Sequence, residues 1–373
     1  MQGGERAGKL TYEQAGVDYG RIDPLKVLAQ KAARETAGNL LAAGFVEVAA
    51  SRGESAYVID LGDFYLASVT ECLGTKALVA EEMRKITGQT YYDAIAQDTI
   101  AMAVNDVITV GARPLCIQAY WAVGSPDWFD DEQRMRDLVE GWQRTCNAIG
   151  VAWGGGETPS LAGVVEAGAV DLAASCVGII RPKERLTLGR DLHPGDAIIL
   201  LESSGIHANG VTLARKLAAR LPQGYATPIS DGRPYGQALL APTIIYSPVT
   251  EALFAAGVTI RYMANITGHG WRKLMRHPGA FTYRITQLPP VPAVLRFIVE
   301  QACLTPEEAY GSLNMGAGFA LFVPPQDAGK AIEIAAQNGV QAYCAGSVEE
   351  GERRVVVEPL GIVFEGERLA LRA

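Results

Sequence analysis

Tyr92 to Val110 reads as a helix that is apolar around most of its circumference, and it constrains the fold more than any other stretch. Ile95, Thr99, Met102 and Asp106 lie one turn apart, and Gly111 stands where a C-terminal cap is expected. Near its end the helix carries Asn105 and Asp106. Both are indifferent helix formers, and a carboxylate buried without a partner is costly. Either a cation or a hydrogen-bond network meets Asp106 in the interior, or Asp106 turns to solvent at the helix end.

Around this helix the pattern alternates between strands and helices. A helical pattern covers about 24–41, and Asp63 to Thr70 reads as a strand running into the loop Glu71-Cys72-Leu73-Gly74. Pro114 to Val123 is strand-like, Asp130 to Ile149 is an amphipathic helix, and Val151 to Trp153 is a short strand before a Gly-rich turn at 154–159. Gly168 to Ile180 is small and apolar enough to suggest a strand buried on both faces. The polar, Pro- and Gly-containing stretch Arg181–Gly195 divides the chain. Beyond it come a strand (196–201), a loop (203–210), a helix to about Arg220, a β-α-β unit over 318–348 and a final hairpin. The expected organisation is an arm at 1–55, one domain at 56–185 and a second at 186–373, of α/β (α+β) class.

A length of 373 residues allows two cores, and a net charge of −8 speaks against a nucleic-acid or anionic-membrane partner. No apolar run reaches the roughly 20 residues of a membrane span, and Met1–Leu10 has no apolar segment of a signal peptide. Six dispersed cysteines without a Cys-x-x-Cys pair read as small hydrophobes in a reducing cytoplasm. The four histidines have no metal-ligand spacing.

Four loops could carry chemistry, each with an ordinary alternative. Glu71 to Lys76 brings a carboxylate, the Gly74 bend and the Thr75-Lys76 pair to the end of a strand, where magnesium and phosphate could be met; it reads equally as a plain turn. Gly154-Gly155-Gly156-Glu157-Thr158 would let a backbone approach a ligand closely, or make a tight surface turn. Ser203-Ser204-Gly205-Ile206-His207-Ala208-Asn209-Gly210 opens a helix, as an anion site or a capping loop would. Asn265-Ile266-Thr267-Gly268-His269-Gly270 has similar composition.

In this order and spacing the loops resemble those of the phosphoribosylformylglycinamidine cyclo-ligase (aminoimidazole ribonucleotide synthetase) family. Tyr12-Glu13-Gln14-Ala15-Gly16-Val17-Asp18, Val104-Asn105-Asp106, Gly111-Ala112-Arg113-Pro114, Gly155-Gly156-Glu157-Thr158 and Ser203–Gly210 carry the likeness. Leu240-Ala241-Pro242-Thr243-Ile244-Ile245-Tyr246, Ile266-Thr267-Gly268 and Asn314-Met315-Gly316-Ala317-Gly318 extend it. The resemblance implies a two-domain PurM-like fold, with an N-terminal mixed sheet at a dimer core and a C-terminal sandwich-like domain. It implies a cytoplasmic, homodimeric ligase that uses ATP and Mg2+ on a small phosphoribosyl amidine. In that family ATP phosphorylates the formyl amide oxygen, and an amidine nitrogen of the same molecule then displaces phosphate to close the ring. Carried over by position, Glu71, Asp106 and Glu157 would hold the metal. Gly74, Thr75, Lys76, Asn105, Gly155, Gly156 and Thr158 would join them around the nucleotide, and Ser204, His207, Asn209, Thr267 and Gly268 would contact substrate. No residue is singled out as a general base.

Some positions depart from the family pattern. Glu71-Cys72-Leu73 stands for Asp-Gly-Val, and Gly44-Phe45-Val46-Glu47-Val48 stands where a Gly-rich segment is expected. Asn265 replaces a His, Gly268-His269-Gly270 replaces three glycines, and Arg272-Lys273-Leu274-Met275-Arg276 replaces Glu-Asn-Ile-Pro-Arg. Beside the cyclo-ligase itself, the sequence therefore leaves room for a paralogue activating another amide or acid, or for a non-catalytic nucleotide-binding member.

Overall fold

The computed structural model describes residues 9–10, 15–16 and 18–369, so Tyr12–Gln14 and Val17 of the expected N-terminal signature lie outside the described residues. The described chain builds two sheets. The first takes β1 (Val46–Glu47), β2 (Tyr57–Asp60), β3 (Tyr65–Cys72), β4 (Arg113–Val123), β5 (Ala152–Glu157) and β6 (Val170–Ile180) in the order β1-β2-β3-β6-β4-β5, antiparallel except for β4 with β5. The second takes β7 (Ala197–Glu202), β8 (Tyr262–Asn265), β9 (Phe281–Ile285), β10 (Ala317–Val323), β11 (Ala342–Glu350), β12 (Arg354–Val357) and β13 (Ile362–Glu365). Its order is β13-β12-β9-β11-β7-β10-β8. The helices are α1 (Tyr19–Glu35), α2 (Lys76–Thr87), α3 (Tyr92–Val107), α4 (Glu132–Ile149), α5 (Val211–Ala218), α6 (Tyr235–Leu239), α7 (Ser247–Ala255), α8 (Ala293–Gln301), α9 (Pro306–Tyr310) and α10 (Pro325–Gln337).

Helices α2, α3 and α4 cover one face of the first sheet. α3 is buried along nearly its whole length, as its apolar sequence demands. It closes through a 3-10 turn at Ile108–Val110 and stops at Gly111, whose φ of 85° suits glycine and where a Cβ would lie 1.8 Å from the Arg185 carbonyl oxygen. In the second sheet β10 and β11 flank β7, and α10 connects them across the sheet. β10 is buried throughout and β7 nearly so, which matches their unbroken apolar runs.

Two local expectations are corrected. β6 is buried on one face only: Ala173, Ser175, Val177 and Ile179 are half exposed on the other. The glycines 154–156 are strand, not turn. They let β5 lie close against β4, since a Cβ on Gly156 would meet Ala119 oxygen at 2.0 Å and one on Gly154 would meet Cys116 Sγ at 2.8 Å.

The seam between the two sheets is a six-residue strap, 241–246, which joins α6 to α7. Four successive carbonyls of the strap are taken by side chains. Lys76 Nζ donates to Ala241 O at 2.9 Å, Ser204 Oγ to Pro242 O at 2.5 Å, Gln97 Nε2 to Thr243 O at 2.9 Å and Asn105 Nδ2 to Ile244 O at 2.8 Å. Two of the strap's N–H groups are matched by side chains as well: Thr243 N donates to Asp98 Oδ1 at 2.8 Å and Tyr246 N to Asn105 Oδ1 at 3.0 Å. Lys76 and Asp98, both fully buried, form an ion pair of 2.8 Å. Burial pulls the Lys76 pKa down and pushes the Asp98 pKa up, and each charge opposes the shift of the other. A buried pair of this kind tolerates loss of one member poorly, because the other is left charged and unmatched. Lys76→Met is expected to lower the unfolding free energy by about 3–5 kcal/mol. Denaturant titration checks this, and an unchanged midpoint would show that the pair does not hold the seam.

Candidate functional site

A cleft of about 520 Å3 opens between the two sheets and beneath α1. Its floor follows from strand parity and helix register. On β3, Ala67, Val69 and Glu71 point to the face that α3 covers, while Thr70 and Cys72 point outward. On α3, Asn105 is spent on the strap, and Asp106, the next residue, turns into the cleft with Met102. Glu71 and Asp106 therefore meet and are hydrogen-bonded to each other. From the second sheet, Asn265 at the end of β8 donates from Nδ2 to Asp106 Oδ1 at 2.7 Å. Asn209, Thr267 and Gly268 complete this wall.

Side chains that the sequence reading did not place here form the rest. Arg276 donates to Gly53 O at 3.0 Å and to Ser55 Oγ at 2.7 Å, and Tyr262 OH donates to Glu54 Oε2 at 2.7 Å, so the loop 51–55 is fastened to the second sheet. Arg52 pairs with Glu47, which also accepts from Tyr57 OH, and its Nη2 donates to Ala33 O, tying down the end of α1. α1 contributes Lys26 and Gln30, and its Asp23 lies 3.6 Å from His269 Nε2. His269 is buried with φ of 69°, a left-handed conformation uncommon outside glycine. The 3-10 turn Gly270–Met275 presents Lys273. The altered residues at 269–276 were a visible signal in the sequence; the polar run Ser51–Ser55 was a weak one.

Charge in the cleft is concentrated and poorly hydrated. Burial, then the charge of Asp106, pushes the Glu71 carboxyl up to about 8, with Lys273 and Arg276 opposing. Glu71 is thus held in its protonated form at neutral pH, beside Asp106. Burial, then Arg276, pulls Lys273 down to about 7, with Asp106 and Glu71 opposing. Burial and the surrounding Lys273, Arg272, Lys26 and Arg276 hold the His269 imidazole neutral, with a pKa near 3.

The structure brings Glu71, Asp106, Asn209, Thr267 and Gly268 together and puts the other candidates elsewhere. Lys76, Asn105 and Ser204 bond the strap, so their polar groups serve the seam instead of the cleft. His207 is buried behind it, its Nε2 accepting from Ser204 N at 3.2 Å, and burial and the Lys76 charge lower its pKa to about 3. Gly74 and Thr75 line a separate depression of about 420 Å3 with Tyr120, Asp171 and Arg215, and Thr75 Oγ1 lies 3.3 Å from Thr212 Oγ1. Gly155, Gly156, Glu157 and Thr158 are exposed at the outer edge of the first sheet. Glu157 is in register with Tyr120, Ala173 and Cys72 across three strand spacings, about 14 Å, and shares the outward face of Cys72. Within one chain the expected three carboxylates are therefore a pair and an outlier.

The proton on the Glu71–Asp106 pair couples stability to pH. Glu71 titrates at 4.5 in a free chain and at about 8 when folded. Its contribution to stability is fully present below 4.5 and is lost as pH rises through about 8. Glu71→Gln cannot ionise, so it is expected to match the parent's melting temperature in acid and exceed it at pH 8 in metal-free buffer. Identical melting curves at pH 8 would contradict the raised pKa of Glu71.

Residues 53–180 match the family model for the N-terminal domain of AIR synthase related proteins, and residues 193–358 match that for the C-terminal domain. The phosphoribosylformylglycinamidine cyclo-ligase of Methanococcus maripaludis (strain C5) is 34% identical over 345 residues, 91% of this chain and 93% of that protein. That of Pyrococcus furiosus is 34% identical over 360 residues, 95% of this chain and 99% of its own. Among solved structures, the hydrogenase maturation protein HypE in complex with ATP is 20% identical, with a TM-score of 0.56 over 80% of this chain and 83% of that one, a likeness of fold. With both domains matched in order and relatives covered almost end to end, the chain belongs to the AIR synthase family and has its two-domain PurM-like α/β fold.

Proposed function

We propose that this protein is an ATP-dependent cyclo-ligase that converts formylglycinamidine ribonucleotide to aminoimidazole ribonucleotide, releasing ADP and phosphate, a cytoplasmic step of purine biosynthesis. Near end-to-end similarity to proteins named for that activity supports it. The observation in the molecule that carries it furthest is the Glu71–Asp106 pair, set among cations in a cleft of ligand size. HypE, a fold neighbour, has been solved with ATP, which supports a nucleotide here.

Magnesium fits these residues: Glu71 and Asp106 offer hard carboxylate oxygens side by side in the cleft, and this ion typically takes one or two carboxylates and completes its shell with phosphates and water. When bound it would withdraw charge from a phosphate oxygen. Asn265 would orient Asp106 through its amide, and Asn209, Thr267 and Gly268 would meet the substrate. The walls fixed by Arg276 and Arg52 would keep water out and hold the formyl oxygen and the amidine nitrogen of one molecule near each other.

The protein is also proposed to be a homodimer. The outward face of the first sheet is small and half exposed at Ala173, Ser175 and Val177, Leu115 is exposed on it, and β5 is exposed along its length at the sheet edge. An open edge and an uncovered face of this kind invite a second copy. Light scattering on the purified protein is expected to give twice the chain mass, and a monomer at assay concentration would exclude the dimer.

Phosphate release from ATP and magnesium is expected to require formylglycinamidine ribonucleotide; no turnover with that substrate would remove the proposal. Asp106→Asn is expected to weaken Mg·ATP binding by at least about tenfold. Calorimetric titration checks it, and unchanged affinity and rate would show that the nucleotide sits elsewhere.

A further inference from the structure

Four cations face the Glu71–Asp106 pair across the cleft: Lys26, Arg52, Lys273 and Arg276. Three of them are committed to protein partners. Lys26 lies 3.4 Å from Asp23, Arg52 pairs with Glu47, and Arg276 bonds Gly53 O and Ser55 Oγ. Lys273 alone of the four has no hydrogen bond or ion pair among the described residues. Its backbone is nevertheless rigidly placed. Trp271, Leu274 and Met275 of the same turn are buried, and Trp271 Nε1 donates to Asn314 O at 2.8 Å. A fixed ammonium set among other cations and lacking an acceptor is stabilised when an anion arrives. The carboxylates opposite are stabilised by a cation. A metal-bound phosphate satisfies both at once.

We propose that Lys273 is a catalytic residue, its ammonium hydrogen-bonding the γ-phosphoryl oxygens as the group passes from ATP to the amide oxygen of the substrate. This rests on reading the cleft as the Mg·ATP site. In the step, the amide oxygen forms a bond to the γ-phosphorus while the bond from that phosphorus to the bridging oxygen breaks. The electron pair leaves on ADP, and the amide N–H proton is released to solvent. The bound phosphates favour the protonated form of Lys273, which keeps its proton through the step and stabilises charge on the oxygens in flight, as cationic clamps on transferring phosphoryl groups do.

The test uses the full chain with Lys273→Gln, which keeps length and polarity, and Lys273→Arg, which keeps charge. For Lys273→Gln, kcat for substrate-dependent phosphate release is expected to fall about 100-fold, while Kd for Mg·AMPPCP rises by no more than about tenfold. Without nucleotide, Mn2+ followed by electron paramagnetic resonance is expected to bind Lys273→Gln about threefold or more tightly than the parent, because a like charge has left the carboxylate pair. Lys273→Arg is expected to regain part of the rate. A packing role alone would not move metal affinity upward while moving the rate downward. The proposal is overturned if Lys273→Gln turns over at the parent's rate, if Mg·AMPPCP affinity falls as far as the rate, or if Mn2+ affinity does not rise. Should Asp106→Asn bind Mg·AMPPCP as the parent does, the cleft reading fails and this assignment with it. Should Asp106→Asn lose binding while Lys273→Gln stays fully active, only the Lys273 assignment fails.

Discussion

Everything in this molecule depends on how the strap 241–246 satisfies its backbone. A segment of irregular chain at the junction of two sheets would be prohibitive if its carbonyls were left dry. Here Lys76, Gln97 and Asn105 reach across from the first domain to claim them, with Ser204 assisting from the second, while Asp98 accepts from the strap's Thr243 N–H. The two halves share one continuous apolar core, and the strap adds directional hydrogen bonds to it. Asn105 and Asp106 are neighbours on α3, so the residue that fixes the strap and the residue that faces the cleft move as one body.

That coupling explains which parts of the sequence could be read. Polar residues inside an apolar helix announced a buried polar network, and Asp106 with Asn105 proved to be one. The strand ending at Glu71 was legible from its alternation, and parity then carried Glu71 to the helix-covered face. Lys76, Asn105 and Ser204 were not distinguishable from ligand contacts, because a buried cation, amide or hydroxyl bonds a peptide carbonyl as readily as it bonds a phosphate or a sugar. Glycines 154–156 were read as a turn because their need for close strand approach is tertiary and leaves no local trace. The loop 51–55 has no periodicity, and its place is decided by Arg276, more than 200 positions away in the chain.

The cleft is assembled from opposing charges that do not cancel in place. Glu71 and Asp106 lie side by side, and the cations around them are largely held by other partners. The family's aspartate is a glutamate here, reaching one methylene further from the strand, and its histidine before Ile-Thr-Gly is Asn265, which holds Asp106 through an amide. An imidazole does stand in the cleft, at His269, kept uncharged by its neighbours. The polar groups are thus redistributed among loops while the frame beneath them is retained.

The turn 270–275 has a division of labour along its length. Trp271, Leu274 and Met275 are driven into the interior like pegs, while Arg272 and Lys273 between them remain half exposed. The pegs fix the position, Arg272 adds a bond to Gly311 O, and Lys273 can be exchanged without disturbing the buried frame. A lineage could retune what this enzyme prefers by single substitutions at such places, with little risk to folding. Divergence at the rim and constancy beneath it are then two results of one mechanical arrangement.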